Sequence, residues 1–520
     1  AHILGDSEST VVFVEDPSQL EKLFDPRVRP LLRNVRRVVY LDARRRLDLP
    51  DARGRLEVRL DDVLPREDRA TVTSLAELVE AGRRVLERDA AKLRARGEAV
   101  TPDDVATLVY TSGTSGPPKG VALTHANFAF ECASVGHELQ LTAADEQLLI
   151  LPLAHIFARV LLVSAIRVGF VTAFASSPLS ALDDAQEVHP TILGAVPRVF
   201  EKVHASALRR VAGESPLRRR AADLAFRVGL AVSRKTQRGE SPGAILAAQH
   251  RVASALLFEQ ISHLFGRRLR FAISGGAPLR RDLAEWFHAA GVLVLEGYGL
   301  TETTAATHMN RPSAYRLGTV GRPVPGVEAR IEADGEILVR GGNVMKGYFK
   351  RADETAEVID GLGWFHTGDV GVIDAEGYLT ITDRKKDLIV TAGGKNVAPR
   401  NLELALEASP WIANAAVFGD ARPYLVALVS LDQETARGWA RDQGLDLAWG
   451  EIVRDARVRA IVERAVADVN AQLEPYQRIR GFAIAAADFS IEADEITPTL
   501  KLRRRSVAAR HAAEIDALYR

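Results

Sequence analysis

Tyr110-Thr111-Ser112-Gly113-Thr114-Ser115-Gly116-Pro117-Pro118-Lys119-Gly120 is a run of hydroxyls and glycines with one cation, entered directly from the apolar segment Thr107-Leu108-Val109-Tyr110. Hydroxyls, small residues with free backbone N–H groups, and one ammonium are the groups needed to surround phosphate oxygens. The spacing is not that of a Walker A loop: Gly113 is followed five residues later by Pro118, and Lys119 by Gly120, where that loop needs Ser or Thr. An apolar strand that ends in such a loop predicts an α/β sheet with its ligand at the strand ends.

The segments around it keep the same rhythm. Thr10-Val11-Val12-Phe13-Val14 and Arg37-Val38-Val39-Tyr40-Leu41 read as buried strands, and Ser18 to Phe24 between them reads as a helix. Strand, helix, strand is the pattern of a parallel α/β unit. Thr191-Ile192-Leu193-Gly194-Ala195-Val196 and Leu269-Arg270-Phe271-Ala272-Ile273-Ser274 are further apolar runs that end in turn residues. After Pro312 the texture changes. Glu328 to Ile331, Gly335 to Arg340 and Tyr378 to Thr382 are short β-type segments parted by Gly and Asp, which suits an antiparallel subdomain. A boundary is expected near Asp383. Beyond it, the run Asp387 to Val390, a helix from Pro399 to Ala408, and strands at Ile412 to Phe418 and Tyr424 to Leu431 predict a compact α+β unit.

The composition bounds the function. The 520 residues carry 68 Lys plus Arg against 68 Asp plus Glu, 47% hydrophobic residues and one cysteine. Zero net charge removes the cationic field on which non-specific nucleic-acid binders rely, so no nucleic-acid partner is expected. Lone Cys132 can form neither an internal disulfide nor a thiolate metal site, which points to a reducing, cytoplasmic setting. The most apolar window, Val160 to Phe174, is 15 residues long and broken by Arg167, too short to cross a bilayer. The chain opens at Ala1-His2-Ile3-Leu4 without the features of a signal peptide. Residues 201–251 hold 11 Lys/Arg against 4 Asp/Glu. Within them Leu217, Ala221, Leu224, Val228 and Ala231 recur at helical spacing opposite Arg218, Arg219, Arg220 and Arg227. Two readings stay open: a solvated helix packed on the sheet through that stripe, or a face that meets an anionic membrane or acidic partner.

Tyr110 to His125 resembles the signature loop of the adenylate-forming superfamily, which includes acyl-CoA synthetases, luciferases and peptide-synthetase adenylation domains. Four further segments match in the family's order: Ser274-Gly275-Gly276-Ala277-Pro278-Leu279, Tyr298-Gly299-Leu300-Thr301-Glu302-Thr303, Trp364-Phe365-His366-Thr367-Gly368-Asp369, and Asp383-Arg384-Lys385-Lys386-Asp387 continuing to Gly393-Gly394-Lys395-Asn396. Thr497-Pro498-Thr499-Leu500-Lys501 resembles the terminal catalytic-lysine segment, with Thr499-Leu500 where Ser-Gly is frequent, a variation typical of the long-chain branch. Leu151 to Arg159 and Val196 to Val203 resemble long-chain fatty acyl-CoA synthetases in particular.

The resemblance implies an α/β fold: a large N-terminal domain, residues 1–384, of parallel α/β sheets plus a β-rich subdomain, and a small mobile α+β C-terminal domain, residues 385–520. Family members usually have about 80 further residues before the segment resembling Ile3-Leu4-Gly5-Asp6-Ser7, the size of part of one α/β domain. Thr111, Ser112, Gly113, Thr114, Ser115, Gly116 and Lys119 would hold the phosphates of ATP. Gly276 and Ala277, which lack bulk, and Tyr298, which supplies an aromatic face, would bracket the adenine, and Pro278, Gly297 and Gly299 beside them would also belong to the ATP/AMP site. Thr301 and Glu302 set a hydroxyl beside a hard carboxylate, suited to a phosphate and its Mg²⁺, with Glu302 the metal-associated residue. Asp369 is implied to bind the ribose hydroxyls, with Arg384 nearby, and Lys386 to be the hinge of the small domain. Lys501 would be the catalytic lysine, His155 with Phe157 would lie by the acyl carboxylate, and Gly393, Gly394, Lys395 and Asn396 would form the face that replaces Lys501 for coenzyme A. The implied activity joins a long-chain fatty acid to AMP with release of pyrophosphate, then passes the acyl group to coenzyme A. Two alternatives remain at this level: a fatty acyl-AMP ligase that loads a carrier protein, and a catalytically silent lipid-binding homologue. Oligomeric state is not legible.

Overall fold

The computed structural model describes residues 2–15, 17–41, 71–111, 117–177, 180–497 and 502–520. The chain divides into two compact units, one of Ala1–Phe128 with Met345–Glu357, the other of Ala129–Val344 with Val358–Arg520.

In the first unit, strands β1 (Val11–Val14), β2 (Arg37–Tyr40) and β3 (Val72–Ser74) form a parallel sheet in sequence order. The helix Pro17–Phe24 links β1 to β2 and buries Leu20 against Val12, Val14 and Val38. This is the strand–helix–strand unit expected from Thr10 to Leu41. Strands β4 (Val105–Thr111) and β5 (Lys119–Thr124) differ from expectation: they pair antiparallel, with the two-residue strand Gly347–Tyr348 on the far side of β5. Thr111 and Lys119, on either side of residues 112–116, are therefore partners in an antiparallel pair and not members of a parallel sheet. Two strands in antiparallel register need only a short connection, whereas a parallel pair needs a crossover of a dozen residues or more.

The second unit is organised by a seven-stranded sheet in the order β12-β11-β10-β9-β8-β6-β7, made of β6 (Glu146–Leu149), β7 (Val171–Phe174), β8 (Ile192–Ala195), β9 (Phe271–Ser274), β10 (Val294–Tyr298), β11 (His308–Met309) and β12 (Arg322–Pro323). The strands from β7 to β10 are parallel, and β11 and β12 turn antiparallel at the edge. β8 and β9 are buried at every position, as their unbroken apolar sequence requires. Strand order reverses between β6 and β8, so the chain leaving β6, β8, β9 and β10 emerges along one sheet edge, where α/β sheets take their ligands.

A second, antiparallel sheet holds β13 (Val327–Ile331), β14 (Glu336–Gly341) and the strands Phe365–Ile373 and Leu379–Arg384. It is the β-rich subdomain expected after Pro312. Past Arg384 a separate apolar core gathers Ile389, Leu402, Leu406, the strands Ile412–Phe418 and Leu425–Leu431, and the helix Ala456–Asn470 through Val458 and Val462.

The helix Pro216–Gln237 corrects the stripe reading. Leu217 and Leu224 are 79% and 61% exposed, and the buried positions are Ala222, Gly229 and Ser233. This face packs closely on the helix Arg281–Ala289: a Cβ on Gly229 would stand 2.6 Å from the Ala289 carbonyl oxygen and 3.0 Å from Phe258. Ser233 Oγ is 2.7 Å from His288 Nδ1, and Phe226 stacks on Trp286 at 4.8 Å between ring centroids. Small residues let two helices approach until the large ones beside them interlock, and this contact turned the leucines outward.

Candidate active site

Tyr298, Asp369 and Arg384 form the centre of the candidate site in the second unit. Tyr298 closes β10, and its hydroxyl donates to Asp369 Oδ2 at 2.7 Å. Asp369 and Arg384 lie opposite each other in the antiparallel register of Phe365–Ile373 with Leu379–Arg384, which brings Arg384 Nε to 3.1 Å from Asp369 Oδ1. Both Tyr298 and Asp369 are buried. Burial and the Asp369 carboxylate push the Tyr298 phenol well above its ordinary value, so it acts as a neutral donor. Burial opposes the Arg384 charge, but Asp369, followed by Asp387 and others including Glu302, holds the guanidinium above its usual pKa. Asp369 is set by its own turn: its N–H donates to Thr367 Oγ1 at 3.1 Å, and Thr367 Oγ1 donates to the Ile337 carbonyl at 2.7 Å.

Gly275-Gly276-Ala277-Pro278 leaves β9 at the same sheet edge. Gly276 has φ +81 and open space where a side chain would stand, the nearest atom being Val196 Cγ1 at 3.9 Å. His155 caps the helix Ile156–Val168, its Nδ1 accepting the Phe157 N–H at 3.3 Å, which puts the ring proton on Nε2. Phe157 lies along Gly194 at the end of β8 and Gly275 after β9: a Cβ at either glycine would meet its ring at 3.3 Å. The structure thus brings the His155–Phe157 segment against the loop expected to carry the base.

Gly299 follows Tyr298 into a single 3-10 turn, Thr301–Thr303, that presents Thr301 and Glu302, both half-buried. A Cβ on Gly299 would stand 1.3 Å from the Ala305 carbonyl oxygen, so no other residue fits. The turn is closed by Leu300 N–H donating to Thr303 Oγ1 at 2.9 Å. Among the described residues no three His, Cys, Asp or Glu side chains cluster as a protein-only metal site. A hydroxyl beside one carboxylate still suits Mg²⁺, which takes one or two carboxylates and completes its shell with water and phosphate oxygens.

At the expected hinge position, Lys386 is exposed, and its neighbour Lys385 is tied down. Lys385 Nζ pairs with Glu336 Oε2 at 2.8 Å and Asp334 Oδ2 at 2.5 Å, its N–H donates to the Gly368 carbonyl at 2.8 Å, and Gly368 N–H donates to Glu336 Oε1 at 2.9 Å. Across the expected boundary, Arg400 N–H donates to buried Asp383 Oδ2 at 3.1 Å, and Arg280 donates to the Glu407 carbonyl at 3.2 Å. Gly393, Gly394, Lys395 and Asn396 form an exposed tip between Ile389–Val390 and Asn396–Val397, with Gly394 at φ +71.

Thr111 and Lys119 belong to the first unit, as paired residues at the ends of β4 and β5. Lys119 is engaged: its ammonium pairs with Glu354 and lies 4.9 Å from the Tyr348 ring centroid. Phosphate contact by Lys119 therefore has to compete with Glu354. Ser112, Gly113, Thr114, Ser115, Gly116 and Lys501 lie outside the described residues. The chain just after Lys501 is anchored, Leu502 bridging to Ile496 and Arg504 donating to Glu403 and to the Val417 carbonyl at 2.8 Å. Cys132 is buried with its thiol pushed up to about 11, inert by burial.

The fold and these loops define an adenylate-forming enzyme, and comparison with known families agrees: residues 1–349 match the AMP-binding enzyme family and residues 386–520 its C-terminal domain. The chain belongs to the AMP-binding enzyme family. Within it, the chain is 40% identical over 450 residues to the long-chain-fatty-acid–CoA ligase FadD15 of Mycobacterium bovis, covering 86% of this chain and 74% of that protein. It is 31% identical to the peroxisomal long chain acyl-CoA synthetase 7 of Arabidopsis thaliana, covering 88% and 65%. Among solved structures, the adenylation domain of a carboxylate reductase from Mycobacterium chelonae superposes with a TM-score of 0.68 at 23% identity, covering 100% of this chain and 74% of that one. ATP-bound MatB from Rhodopseudomonas palustris gives 0.62 at 24%, covering 98% and 80%. At these identities the structures establish the fold.

Proposed function

We propose that the protein is an AMP-forming long-chain fatty acid:CoA ligase. The observation that carries the reading is the Tyr298–Asp369–Arg384 constellation beside the Thr301–Glu302 turn, in a chain whose relatives are named long-chain-fatty-acid–CoA ligases over most of its length. A carboxylate does not acylate a thiol at neutral pH because its oxygen leaves poorly, so it is first joined to AMP. The fatty carboxylate attacks the α-phosphorus of ATP, the bond to the β-phosphate oxygen breaks, and pyrophosphate leaves. Positioning and electrostatics dominate such a transfer.

Asp369 takes the ribose hydroxyls, and Arg384 and Tyr298 keep its carboxylate fixed. Gly276, Ala277 and Pro278 take one face of the adenine with Tyr298, Gly297 and Gly299 near it. Thr111 to Lys119 hold the pyrophosphate end, and Lys501 meets the α-phosphate and carboxylate oxygens. Glu302, with Thr301 beside it, would hold Mg²⁺, which when bound would supply positive charge to neutralise the phosphates. His155, with its proton on Nε2, lies by the acyl carboxylate. In the second half-reaction the thiolate of coenzyme A attacks the acyl carbonyl and AMP leaves. Residues 385–520 turn about Lys386 as a small domain against residues 1–384, exchanging Lys501 for the Gly393–Asn396 tip. Lys385, bound to Glu336, Asp334 and Gly368, fixes the near side of that pivot.

The test is exchange of labelled pyrophosphate into ATP across saturated fatty acids of increasing length, then acyl transfer to coenzyme A or to a phosphopantetheinyl carrier protein. Exchange that depends on long acids, with coenzyme A as acceptor, is expected; no exchange with any aliphatic acid overturns the reading.

The basic region of residues 201–251 supports a peripheral contact with anionic bilayers. Leu217, Leu224, Ile245 and Val252 are 59–79% exposed on two packed helices that also carry Arg218, Arg219, Arg220, Arg227 and Arg251. Apolar side chains among arginines match a lipid surface. No helix among the described residues is long and apolar enough to cross a membrane. Co-sedimentation with phosphatidylglycerol vesicles, reduced at least about fivefold by Leu217→Ser with Ile245→Ser and by raised salt, is the expected result.

A further inference from the structure

We infer that Glu131 and Asn343 are positioning residues for the adenylation step, clamping the Ala306 peptide from its two polar ends so that the turn carrying Thr301 and Glu302 is held rigid. The inference rests on the reading of Glu302 as the residue beside the metal-bound phosphates. Neither Glu131 nor Asn343 belongs to any of the motifs.

Glu131 stands on the helix His125–Glu138 and is fully buried. Its Oε1 accepts the Ala306 N–H at 2.7 Å. Asn343, equally buried, donates from Nδ2 to the Ala306 carbonyl at 3.2 Å, and its own carbonyl accepts Thr304 Oγ1 at 2.7 Å. Three hydrogen bonds from outside thus fix Thr304 and Ala306, the two ends of a three-residue segment of the turn. Those residues need fixing: Thr304 and Ala305 both have left-handed φ, 51 and 85, unfavourable for any side chain with a Cβ. The Ala305 carbonyl also presses on Gly299, so a shift at residues 304–306 is passed directly to the backbone next to Tyr298 and three residues before Glu302.

The helix that carries Glu131 is itself wedged. The ring of Phe130 lies where a Cβ on Gly326 or Gly342 would be 2.8 or 2.6 Å away, so residues 130 and 131 are pinned against the segment that holds Asn343. Burial drives the Glu131 carboxyl well above its usual pKa, so it sits as the neutral acid. Its Oε2 and Asn343 Oδ1 have no partner among the described residues. A carboxyl in this place is costly to bury, and an apolar side chain would fill the volume more favourably. The feature gained is an acceptor aimed at one N–H of a strained turn, the pattern of strain held by its surroundings at functional sites.

The experiment uses the full chain with Glu131→Ala, Glu131→Gln and Asn343→Ala. The readouts are calorimetric binding of α,β-methylene-ATP over a Mg²⁺ series, KM for Mg·ATP and for fatty acid, and the urea midpoint. Glu131→Ala and Asn343→Ala are expected to weaken Mg²⁺-dependent analogue binding about tenfold with fatty-acid KM nearly unchanged. Glu131→Gln, which keeps an uncharged acceptor, is expected to bind within about threefold of wild type. Unchanged analogue binding in a folded Glu131→Ala or Asn343→Ala protein overturns the inference. So does an equal shift of analogue affinity and fatty-acid KM, the mark of general loosening, or a Glu131→Gln protein as impaired as Glu131→Ala. If Glu131→Ala does not fold, the other two variants decide by the same criteria. A wild-type protein that binds no Mg·ATP analogue overturns the functional reading beneath the inference, which separates the two failures.

Discussion

Replacing Lys501 by alanine is expected to lower fatty-acid-dependent pyrophosphate exchange by at least about 10²–10³-fold, the usual loss when one preorganised charge-stabilising group is removed. Transfer of the acyl group from supplied acyl-adenylate to coenzyme A should stay within a few-fold of wild type. The asymmetry follows from where charge develops. In the first step negative charge spreads over the α-phosphoryl oxygens and the departing pyrophosphate, and a fixed ammonium there lowers the barrier. In the second step the developing charge is on a carbonyl oxygen and the leaving AMP, and the proposed pivot at Lys386 has removed the lysine. The segment after Lys501 is secured without it, through the Leu502–Ile496 bridge and the Arg504–Glu403 ion pair, so alanine leaves the surrounding chain its anchors. Exchange and thioesterification measured on the same preparation check the prediction; equal loss of both half-reactions would end the division of labour.

Gly299→Ala should be the most damaging single methyl group in the second unit. Its Cβ would lie 1.3 Å from the Ala305 oxygen and 2.5 Å from the Ala305 carbonyl carbon, both backbone atoms with no rotamer to move. Relief would require moving residues 304–306 against Glu131 and Asn343, or moving β10 within its sheet. Overpacking of this kind costs about 3 kcal/mol or more. A displacement near 1 Å at Thr301 and Glu302 would also remove about 100-fold in rate. The urea midpoint and pyrophosphate exchange read the two effects separately. Gly297→Ala is the stability control, two residues earlier on the same strand, where the nearest atom to a new Cβ is 3.7 Å away. Its midpoint should move by less than about 1 kcal/mol equivalent.

The parts of the site legible in the sequence are those whose chemistry is local. Glycine is readable because it is required wherever backbone approaches a ligand or another backbone, and Gly276 and Gly299 meet that requirement in different ways, one by φ, the other by a collision. Asp369 is readable because a Thr-Gly-Asp turn makes its own hydrogen bonds. The strand–helix–strand unit at Thr10 to Leu41 and the antiparallel sheet after Pro312 announce themselves through periodicity. The leucine stripe at 217–231 misled for a related reason. Periodicity weighs hydrophobicity, while the packed face of that helix uses Ala222, Gly229 and Ser233, whose advantage is smallness. No hydropathy signal marks such a face; a run of small residues at i, i+7 and i+11 would have been the only hint.

The sequence by itself determined the chemistry. The order of the phosphate-type loop, the Gly-Gly-Ala-Pro turn, the Tyr-Gly-Leu-Thr-Glu segment, the Thr-Gly-Asp turn and the final lysine resembles that of the adenylate-forming superfamily, and this resemblance implies the reaction class, because each motif is made of residues adjacent along the chain. Only the tertiary structure decided which residues hold those motifs in place. Arg384 meets Asp369 through strand register, Lys119 meets Glu354 across more than 200 residues of chain, and Glu131 reaches Ala306 from a helix position that no motif includes. Such contacts depend on distances set by packing, and an acid at position 131 looks, in sequence, like any other on a helix.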